Sequence, residues 1–508
     1  MSELPREARS GLEPWTPAEL PRPPAARGLA VLGAIGPGAI ILGVAIGSGE
    51  WLLGPAAFVR YGLTLLWVTA VAAFLQTVLN TELMRYTLYT GEPALTGFMR
   101  TRPSATFWAW VYASLYFVQV GWPGWAGAAA GAIYYLFHGR LAGPADASQV
   151  YWIGVGAFLL CVLILLVGRR IERTLEILNW ILVVMILGTL TALCLLYVAP
   201  RVWLAAAAGF FGFDLEARRF RFFPPGADWF LIGAFAAYSG AGGVINLMLA
   251  NWARDKGFGM GQVVGYIPAA VGGHKVKLAH TGSVFPLNAQ SRARWHGWWR
   301  IIRLDQWGVF FFGALLGMAL PAILYTGMVE PGRDIRGLAI AAELADSMAL
   351  RGPLLALLVA LLGAWVLFKT QLDILDGMVR AVTDILWTGS RRIRGWRGGD
   401  VRLVYYPLLG LAVLWGVLAL HLTQPITLLQ LGANIGGMVC AVSALHILRV
   451  NTTLLPEELR PPLWRRTALV AMAVFYGLLA YLWLMGGLTP NPAKGFLFSL
   501  LRALGLGS

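Results

Sequence analysis

One carboxylate, Glu50, lies inside a long apolar run, within the stretch AIGSGEW at 45–51. Gly47, Ser48 and Gly49 directly precede it. A charge buried among apolar residues is costly unless it faces water, a cation or a proton. Glycine lets the backbone approach a ligand closely, so that carbonyl groups supply further oxygen ligands. The stretch therefore predicts a cation-binding or protonatable site, with Glu50 as the metal ligand and Gly47, Ser48 and Gly49 beside it.

A second glycine cluster interrupts a later apolar run, in the stretch AYSGAGGVIN at 237–246. Each glycine costs about 1 kcal/mol in a helix interior, so we expect non-helical backbone at 47–49 and at 239–243, with the two breaks facing each other. Close packing between helices is the alternative explanation for these glycines. The candidate binding residues of the second break are Ser239, Gly240, Gly242, Gly243 and Asn246.

A third polar group lies in one apolar run and consists of Lys369, Asp373, Asp376, Arg380 and Asp384. Their spacing places all five on one face of a helix. We expect ion pairs between Lys369 and Asp373 and between Asp376 and Arg380. Lys369, Asp373 and Asp376 are predicted to form an ion-coupling path, in which the ammonium group takes the place of a driving cation. Arg380 and Asp384 are predicted to be structural, and structural pairing is the alternative for the whole set.

The composition indicates which elements hold these residues. Hydrophobic residues make up 58% of the 508-residue chain and charged residues only 13%, which is typical of an integral membrane protein. The net charge is +15, but the basic residues cluster between apolar runs, which is an orientation signal and not a nucleic-acid site. Cys161, Cys194 and Cys440 lie in apolar runs and are interpreted as small buried residues.

Eleven membrane-spanning helices are predicted, because apolar runs of about 18 residues or more recur along the chain. Their limits are 29–58, 62–86, 106–137, 150–168, 174–199, 228–250, 304–328, 352–388, 401–421, 424–448 and 467–487. The distribution of Lys and Arg predicts a cytoplasmic N-terminus and an outer C-terminus, in the plasma (inner) membrane. Asn80 and Glu82 are interpreted as satisfied polar groups at a helix end.

Spans one and six both carry a glycine break, and they are five spans apart. Paired interruptions in two halves of a chain indicate an inverted-repeat transporter. The predicted fold is an all-α membrane protein with a LeuT-type inverted repeat of five plus five helices and an eleventh helix. The predicted parts are a flexible cytoplasmic tail at 1–28, a first repeat at 29–199, an outer loop at 200–227, a second repeat at 228–448 with a cytoplasmic loop at 251–303, and the eleventh helix with a C-terminal tail at 449–508.

Four stretches resemble the Nramp family of divalent-metal transporters, in the order and spacing of that family's helices. They are GPGAIILGVAIGSGEW at 36–51 for the first helix, LQTVLNTELMRYTLYTGE at 75–92 for the second, RTLEILNWILVVMI at 173–186 for the fifth and GVINLMLANWARDKG at 243–257 for the sixth. The likeness extends from about residue 30 to about residue 470. The chain departs from the family at both metal-binding signatures. Gly47-Ser48-Gly49-Glu50 replaces Asp-Pro-Gly-Asn, and Gly243-Val244-Ile245 stands opposite Met-Pro-His.

The resemblance implies a LeuT-type fold and the transport of a divalent cation. The tenth helix of Nramp relatives lends a polar side chain to the site, which implies roles for Gln430 and Asn434. We expect no Met or Cys at either break. A site with one carboxylate, carbonyl oxygens and no sulfur favours Mg²⁺ or Mn²⁺ over soft metals.

The predicted function is secondary transport of a divalent metal cation by alternating access. The sequence has no nucleotide-binding loop and no catalytic motif, so we expect neither enzymatic activity nor a cofactor. The expected partners are the substrate and membrane lipids, with no obligate protein partner. The alternative is an amino-acid or small organic-acid transporter, since IGSG at 46–49 and FAAYSG at 235–240 are similar to the breaks of amino-acid transporters of this fold. A channel or a receptor without transport activity is a further alternative.

Overall fold

The computed structural model describes residues 11–24, 33, 35–47, 49–167, 171–265, 281–333, 335, 337, 340–395 and 401–504. For residues 167, 171–179 and 182 it describes the backbone alone. The described chain is almost entirely helical, with two short strand pairs. The prediction of an all-α membrane protein is confirmed.

The described residues of the first half of the chain form ten α-helices up to the second glycine break. They are α1 (Pro37–Ala45), α2 (Gly54–Tyr61), α3 (Leu66–Thr90), α4 (Ala94–Met99), α5 (Ala105–Val120), α6 (Gly124–His138), α7 (Ala147–Val167), α8 (Ile171–Tyr197), α9 (Pro200–Gly209) and α10 (Trp229–Ala237). Local sequence sets several of these limits. Pro37 opens α1, where a missing N–H costs nothing. Gly91 closes α3 in the left-handed conformation, with φ of 70°. Asp228 caps α10 by accepting the N–H of Leu231 at 3.1 Å.

Eleven α-helices follow in the described part of the second half. They are α11 (Val244–Asp255), α12 (Gly261–Val264), α13 (Ala289–Arg303), α14 (Phe312–Met328), α15 (Glu343–Ala349), α16 (Pro353–Gly389), α17 (Arg391–Arg394), α18 (Arg402–Leu422), α19 (Pro425–Thr453), α20 (Leu463–Met485) and α21 (Phe496–Ala503). A π-helical segment, Leu304–Phe311, joins α13 to α14 without a break. Every residue of α1 is buried, so this short helix lies inside the bundle and not at its lipid-facing surface.

Eight of the described helical segments are long and apolar enough to cross a membrane: Pro37–Tyr61, Leu63–Thr90, Pro144–Leu166, Ala289–Met328, Pro353–Gly389, Arg402–Leu422, Pro425–Thr453 and Leu463–Met485. The other three predicted spans are not among these eight segments. Span three is divided into α5 and α6 around Pro123, and span six is divided into α10 and α11. Span five is α8, part of which is described by backbone alone.

The N-terminal segment 11–24 is packed, which differs from the flexible tail that the sequence predicts. Its strand β1 (Thr16–Pro17) pairs in parallel with a later strand at Ser283–Val284. Leu20 is buried, and the carbonyl oxygen of Glu13 accepts a hydrogen bond from Arg100 at 3.0 Å. Arg100 also pairs with the carboxylate of Glu92. Burial opposes the charge of Glu92, but Arg100 holds the pKa of this carboxyl below its ordinary value.

Two predicted loops also contain regular structure. The outer loop at 200–227 contains α9 and an antiparallel pair of β2 (Phe213–Asp214) with β3 (Arg219–Phe220). In the predicted cytoplasmic loop at 251–303, α13 is a fifteen-residue helix that continues into the seventh span. Strand β4 (Ser283–Val284) completes the pair with β1. These helices were missed because α9 is too short and α13 too polar to register as a membrane span. His274, Lys275 and Lys277 of this loop lie outside the described residues.

Candidate functional site

The first break separates α1 from a π-helical turn at Gly49–Leu53. Helix α1 ends at Ala45, and the N–H of Gly47 donates to the carbonyl oxygen of Ala45 at 2.6 Å instead of continuing the helix. Helical hydrogen bonding starts again at Trp51, whose N–H donates to the carbonyl oxygen of Gly47 at 2.9 Å. The predicted interruption of span one is confirmed at Gly47, whereas Gly49, predicted to be non-helical, is the first residue of the π-helical turn. Ser48, a predicted assisting residue, lies outside the described residues.

Glu50 is the charged group of this break, and its side chain is turned inward. The residue is 1% exposed, and its Oε2 accepts the N–H of Gly47 at 3.2 Å. Its Oε1 is buried and has no hydrogen-bond partner in the described part of the chain. A buried carboxylate oxygen without a partner is expensive, so this atom marks a place where a cation or a proton would be stabilising.

The second break lies between Ala237 and Val244 and is fully non-helical. Gly240, Gly242 and Gly243 have φ values of 149°, 82° and 61°, which only glycine adopts without strain. Ser239 lies at its start, where its hydroxyl donates to the carbonyl oxygen of Phe235 at 2.9 Å. The predicted interruption at 239–243 is thus confirmed.

The two breaks touch each other. A Cβ atom added to Gly49 would clash with the carbonyl oxygen of Tyr238, the residue at which the second break begins. Only glycine at position 49 permits this approach. The aromatic rings of Phe58 and Phe235, on α2 and α10, make a further edge-to-face contact at 5.2 Å between the two broken spans. The expectation that the breaks face each other is confirmed.

Two glutamines replace the helix hydrogen bonds that the second break loses. Gln76 of α3 accepts the N–H of Gly242 at 2.9 Å and donates to the carbonyl oxygen of Ala237 at 3.0 Å. Gln119 of α5 accepts the N–H of Val244 at 2.8 Å and donates to the carbonyl oxygen of Gly242 at 2.9 Å. The N-terminus of α11 is therefore bonded to neutral protein groups.

A thiol completes this set and corrects a prediction. The N–H of Gly243 lies 2.9 Å from the Sγ atom of Cys440 on α19, and the same sulfur lies 3.9 Å from Oδ1 of Asn246. The expectation that no Met or Cys stands at either break is wrong. Cys440 had been interpreted as a small buried residue, because its position in span ten gives no sign of which helix it faces. A soft sulfur donor is thus present beside the second break.

A chain of side-chain amides runs from the second break to the seventh span. Asn246 donates to Oδ1 of Asn80 at 2.8 Å, Asn80 donates to Gln306 at 3.0 Å, and Gln306 donates to Asp305 at 2.8 Å. All four residues are fully buried. Asn80 is satisfied by Asn246 and Gln306, as interpreted, but it lies well inside α3 and not at a helix end. Glu82 is likewise inside α3 and is satisfied by Arg85 at 2.8 Å and by other partners.

Asp305, the last residue of this network, is hydrogen-bonded to the start of α1. The two carboxylate oxygens of Asp305 accept the N–H groups of Gly36 and Gly38 at 2.9 and 2.8 Å. A carboxylate here both caps the free N–H groups and complements the positive end of the helix. Lys256 supports the same junction by donating to the carbonyl oxygen of Ile35 at 2.7 Å. Sequence reasoning missed Asp305, and its only signal was an acid within the first turn of span seven.

Helix α16 contacts the first break at Thr370. A Cβ atom on Gly47 would lie 2.7 Å from the Thr370 hydroxyl, and one on Gly377 would lie 2.6 Å from Sδ of Met248. Thr370 and Gly377 are seven residues apart on α16 and therefore share a face of the helix. At about 100° per residue, Lys369 and Asp376 point about a quarter of a turn or more away from that face. Lys369 and Asp376 therefore point away from the contact with Gly47, whereas Asp373 lies between Thr370 and Gly377 on the same face.

The predicted ion pairs of α16 form. Lys369 pairs with Asp373, and Arg380 pairs with Asp376 at 2.8 Å. The hydroxyl of Tyr405 also approaches Asp376, at 3.4 Å, which connects this pair to α18. All of these charges are almost fully buried, so each pair is needed to offset the cost of burial.

The remaining polar residues lie apart from the breaks. Asp384 pairs with Arg254 at 3.0 Å and joins the end of α16 to α11. Asn434 donates to the carbonyl oxygen of Phe230 at 2.8 Å and to that of Gln430 at 2.9 Å. Phe230 lies more than two turns before the break that begins at Tyr238. The structure thus brings Gln430 and Asn434 to the first half of α10. No cluster of three or more His, Cys, Asp or Glu side chains suited to a metal ion occurs among the described residues.

Comparison with known proteins supports the architecture. No protein-family model matches the chain, and no curated protein sequence matches it either. Crystal structures of a manganese transporter from Eremococcus coleocola do match. Two single-substitution variants share 17% identity with a TM-score of 0.62, and a complex with an aromatic bis-isothiourea substituted compound shares 16% with a TM-score of 0.61. Each alignment covers 99% of this chain and 96% of the other. Identity this low shows the fold alone, and the chain therefore has the fold of these crystal structures, as the Nramp resemblance implied.

Proposed function

We propose that the protein is a secondary transporter that moves a divalent metal cation, Mg²⁺ or Mn²⁺, across a membrane by alternating access. The observation that carries this proposal is the buried Glu50 carboxylate, which presents one unpartnered oxygen at the junction of two broken helices. The fold shared with manganese transporters supports it. Broken helices that meet near the middle of a bundle are where transporters of this architecture bind their substrates.

The cation would bind to Oε1 of Glu50 and to carbonyl oxygens of the two breaks. Mg²⁺ and Mn²⁺ prefer oxygen ligands, and Mg²⁺ keeps several water molecules when a protein supplies only one or two carboxylates. A site with one carboxylate therefore suits a partly hydrated cation. Cys440 lies next to the second break and would extend the range of accepted metals toward softer ions.

The movement would use the breaks as hinges. Helix α1 is only nine residues long and is joined to the rest of span one by the turn at 46–47. Its N-terminus is held by Asp305, so opening on that side requires this carboxylate to release Gly36 and Gly38. We expect Lys369, which already neutralises Asp373, to make transport independent of Na⁺.

The amino-acid alternative is less well supported. A substrate carboxylate would bind to N–H groups at the start of a half-helix. The N–H groups of Gly242, Gly243 and Val244 are already bonded to Gln76, Cys440 and Gln119. Glu50 would also repel a second carboxylate at this junction.

A proteoliposome uptake panel tests the proposal. The purified protein would be supplied with Mg²⁺, Mn²⁺, Ca²⁺ or a mixed amino-acid pool, with and without a pH gradient and without Na⁺. We expect saturable uptake of Mg²⁺ or Mn²⁺ by the parent protein. A matched control is Glu216→Gln, which removes the same charge from an exposed surface pair. Uptake of amino acids alone, or a flux that does not saturate, would contradict a divalent-cation carrier.

A further inference from the structure

We propose that an anionic phospholipid binds in a groove between α5, α16 and α18, with its phosphate group held by arginines at the ends of the same helices. This inference concerns the outer surface of the bundle and does not depend on what the protein transports.

The groove has a volume of about 320 Å³ and is open at the outer surface of the bundle. Its walls include Trp110 and Phe117 of α5, Met378 and Leu386 of α16, and Leu408 and Leu411 of α18. Ser114 is the one hydroxyl-bearing residue of its lining. Trp110 is 61% exposed and Leu411 is 57% exposed, so neither is covered by the described part of the chain. An apolar groove of this kind in a membrane is suited to an acyl chain.

The three helices share a basic end. The hydroxyl of Thr106, near the start of α5, donates to the carbonyl oxygen of Gly389 at 3.2 Å, which fixes the start of α5 against the end of α16. Arg102 precedes α5, and Arg391 and Arg392 follow α16, and all three are exposed. Gly389, the last residue of α16, is three residues or about 4.5 Å beyond Leu386, and Arg391 begins α17 after one extended residue, Ser390. The arginines thus follow the end of the groove within a few residues.

Not every arginine of this cluster is available to a lipid. Arg394 donates to the carbonyl oxygens of Trp387 and Thr388 at 3.2 and 2.8 Å, so it closes the end of α16. Arg391 and Arg392, together with Arg102, are therefore the exposed arginines of this end. The sequence predicts this end to be cytoplasmic, where basic pockets between membrane helices bind anionic headgroups.

Native mass spectrometry of the full-length protein, with phosphatidylglycerol or phosphatidylcholine added, tests the proposal. We expect the parent protein to retain phosphatidylglycerol in preference to phosphatidylcholine. The double variant Arg391→Gln/Arg392→Gln should lower this preference at least tenfold, because each basic residue near a membrane surface contributes about a fivefold preference. Ser114→Trp, which fills the exposed groove, should lower retention of both lipids.

The matched control is Arg300→Gln/Arg303→Gln, which removes two exposed arginines from α13. It should leave the lipid preference unchanged. An equal loss in the control would show a general effect of charge and would overturn the proposal. Equal retention of both lipids by the parent, or retention that is insensitive to both the arginine and the groove variants, would overturn it as well. Thermal unfolding of each variant in detergent confirms that the fold is retained.

Discussion

The two helix breaks both interrupt a membrane span at a glycine cluster, but they are opposite in their chemistry. The first contains a carboxylate with one unpartnered oxygen, whereas the second has its N–H groups bonded to amides and a thiol. An unpartnered buried charge indicates a place for a ligand, and a saturated network indicates a rigid support. The difference suggests a division of roles in which Glu50 binds and the region around Gly242 holds the geometry.

The strongest test of this comparison is Glu50→Gln. The substitution keeps the shape of the side chain and removes its charge, so we expect it to abolish cation uptake while stability in detergent stays near that of the parent. Uptake and isothermal titration with Mn²⁺ would measure the effect. Normal transport by this variant would show that Glu50 is only a packed residue, and the amino-acid alternative would gain.

The support role of the second break predicts a loss of stability. Gln119→Leu would leave the N–H of Val244 and the carbonyl group of Gly242 without partners, at a cost of about 1–3 kcal/mol for each group. We expect a lower Tm in detergent. Gln149→Leu, at an exposed position, is the matched control. An unchanged Tm for Gln119→Leu would show that this network does not hold the break.

A smaller effect is expected when the contact between Asp305 and the N-terminus of α1 is weakened. Asp305→Asn removes the negative charge at the helix N-terminus, which is worth about 0.3–2 kcal/mol. Amide hydrogen exchange in segment 35–45 should become faster, with exchange in α20 as the internal reference. If the segment exchanges at the parental rate, Asp305 does not control the position of α1.

The smallest effect is expected for metal selectivity. Cys440→Ser replaces a soft donor beside the second break by a hard one, so competition by Cd²⁺ against Mn²⁺ uptake should weaken several-fold, with little change for Mg²⁺. Cys194→Ser, on α8, is the matched control, since its thiol contacts the carbonyl oxygen of Leu320 and not a break. Equal Cd²⁺ competition in the parent and the Cys440 variant would leave Cys440 with a packing role alone.

The sequence predicts those parts of the fold that depend on local residues. Glycine clusters mark both breaks, and the spacing of the charges on α16 correctly predicts their pairs. The partners of the second break could not be predicted in this way. Gln76 and Cys440 are more than 160 residues from Gly242 in the chain, and only tertiary packing brings them to it. Asp305 is similar, because its contact with Gly38 spans 267 residues.

The neutrality of the second break has an electrical consequence for the proposed function. The amides of Gln76 and Gln119 carry no net charge, so Glu50 is the single ionisable carboxylate within the described residues of the two breaks. A divalent cation bound to one carboxylate crosses with a net charge of about +1, and the empty carrier returns with about −1. Each unit charge that crosses 100 mV is worth about 2.3 kcal/mol. Uptake should therefore generate current and accelerate when the interior of the vesicle is made negative.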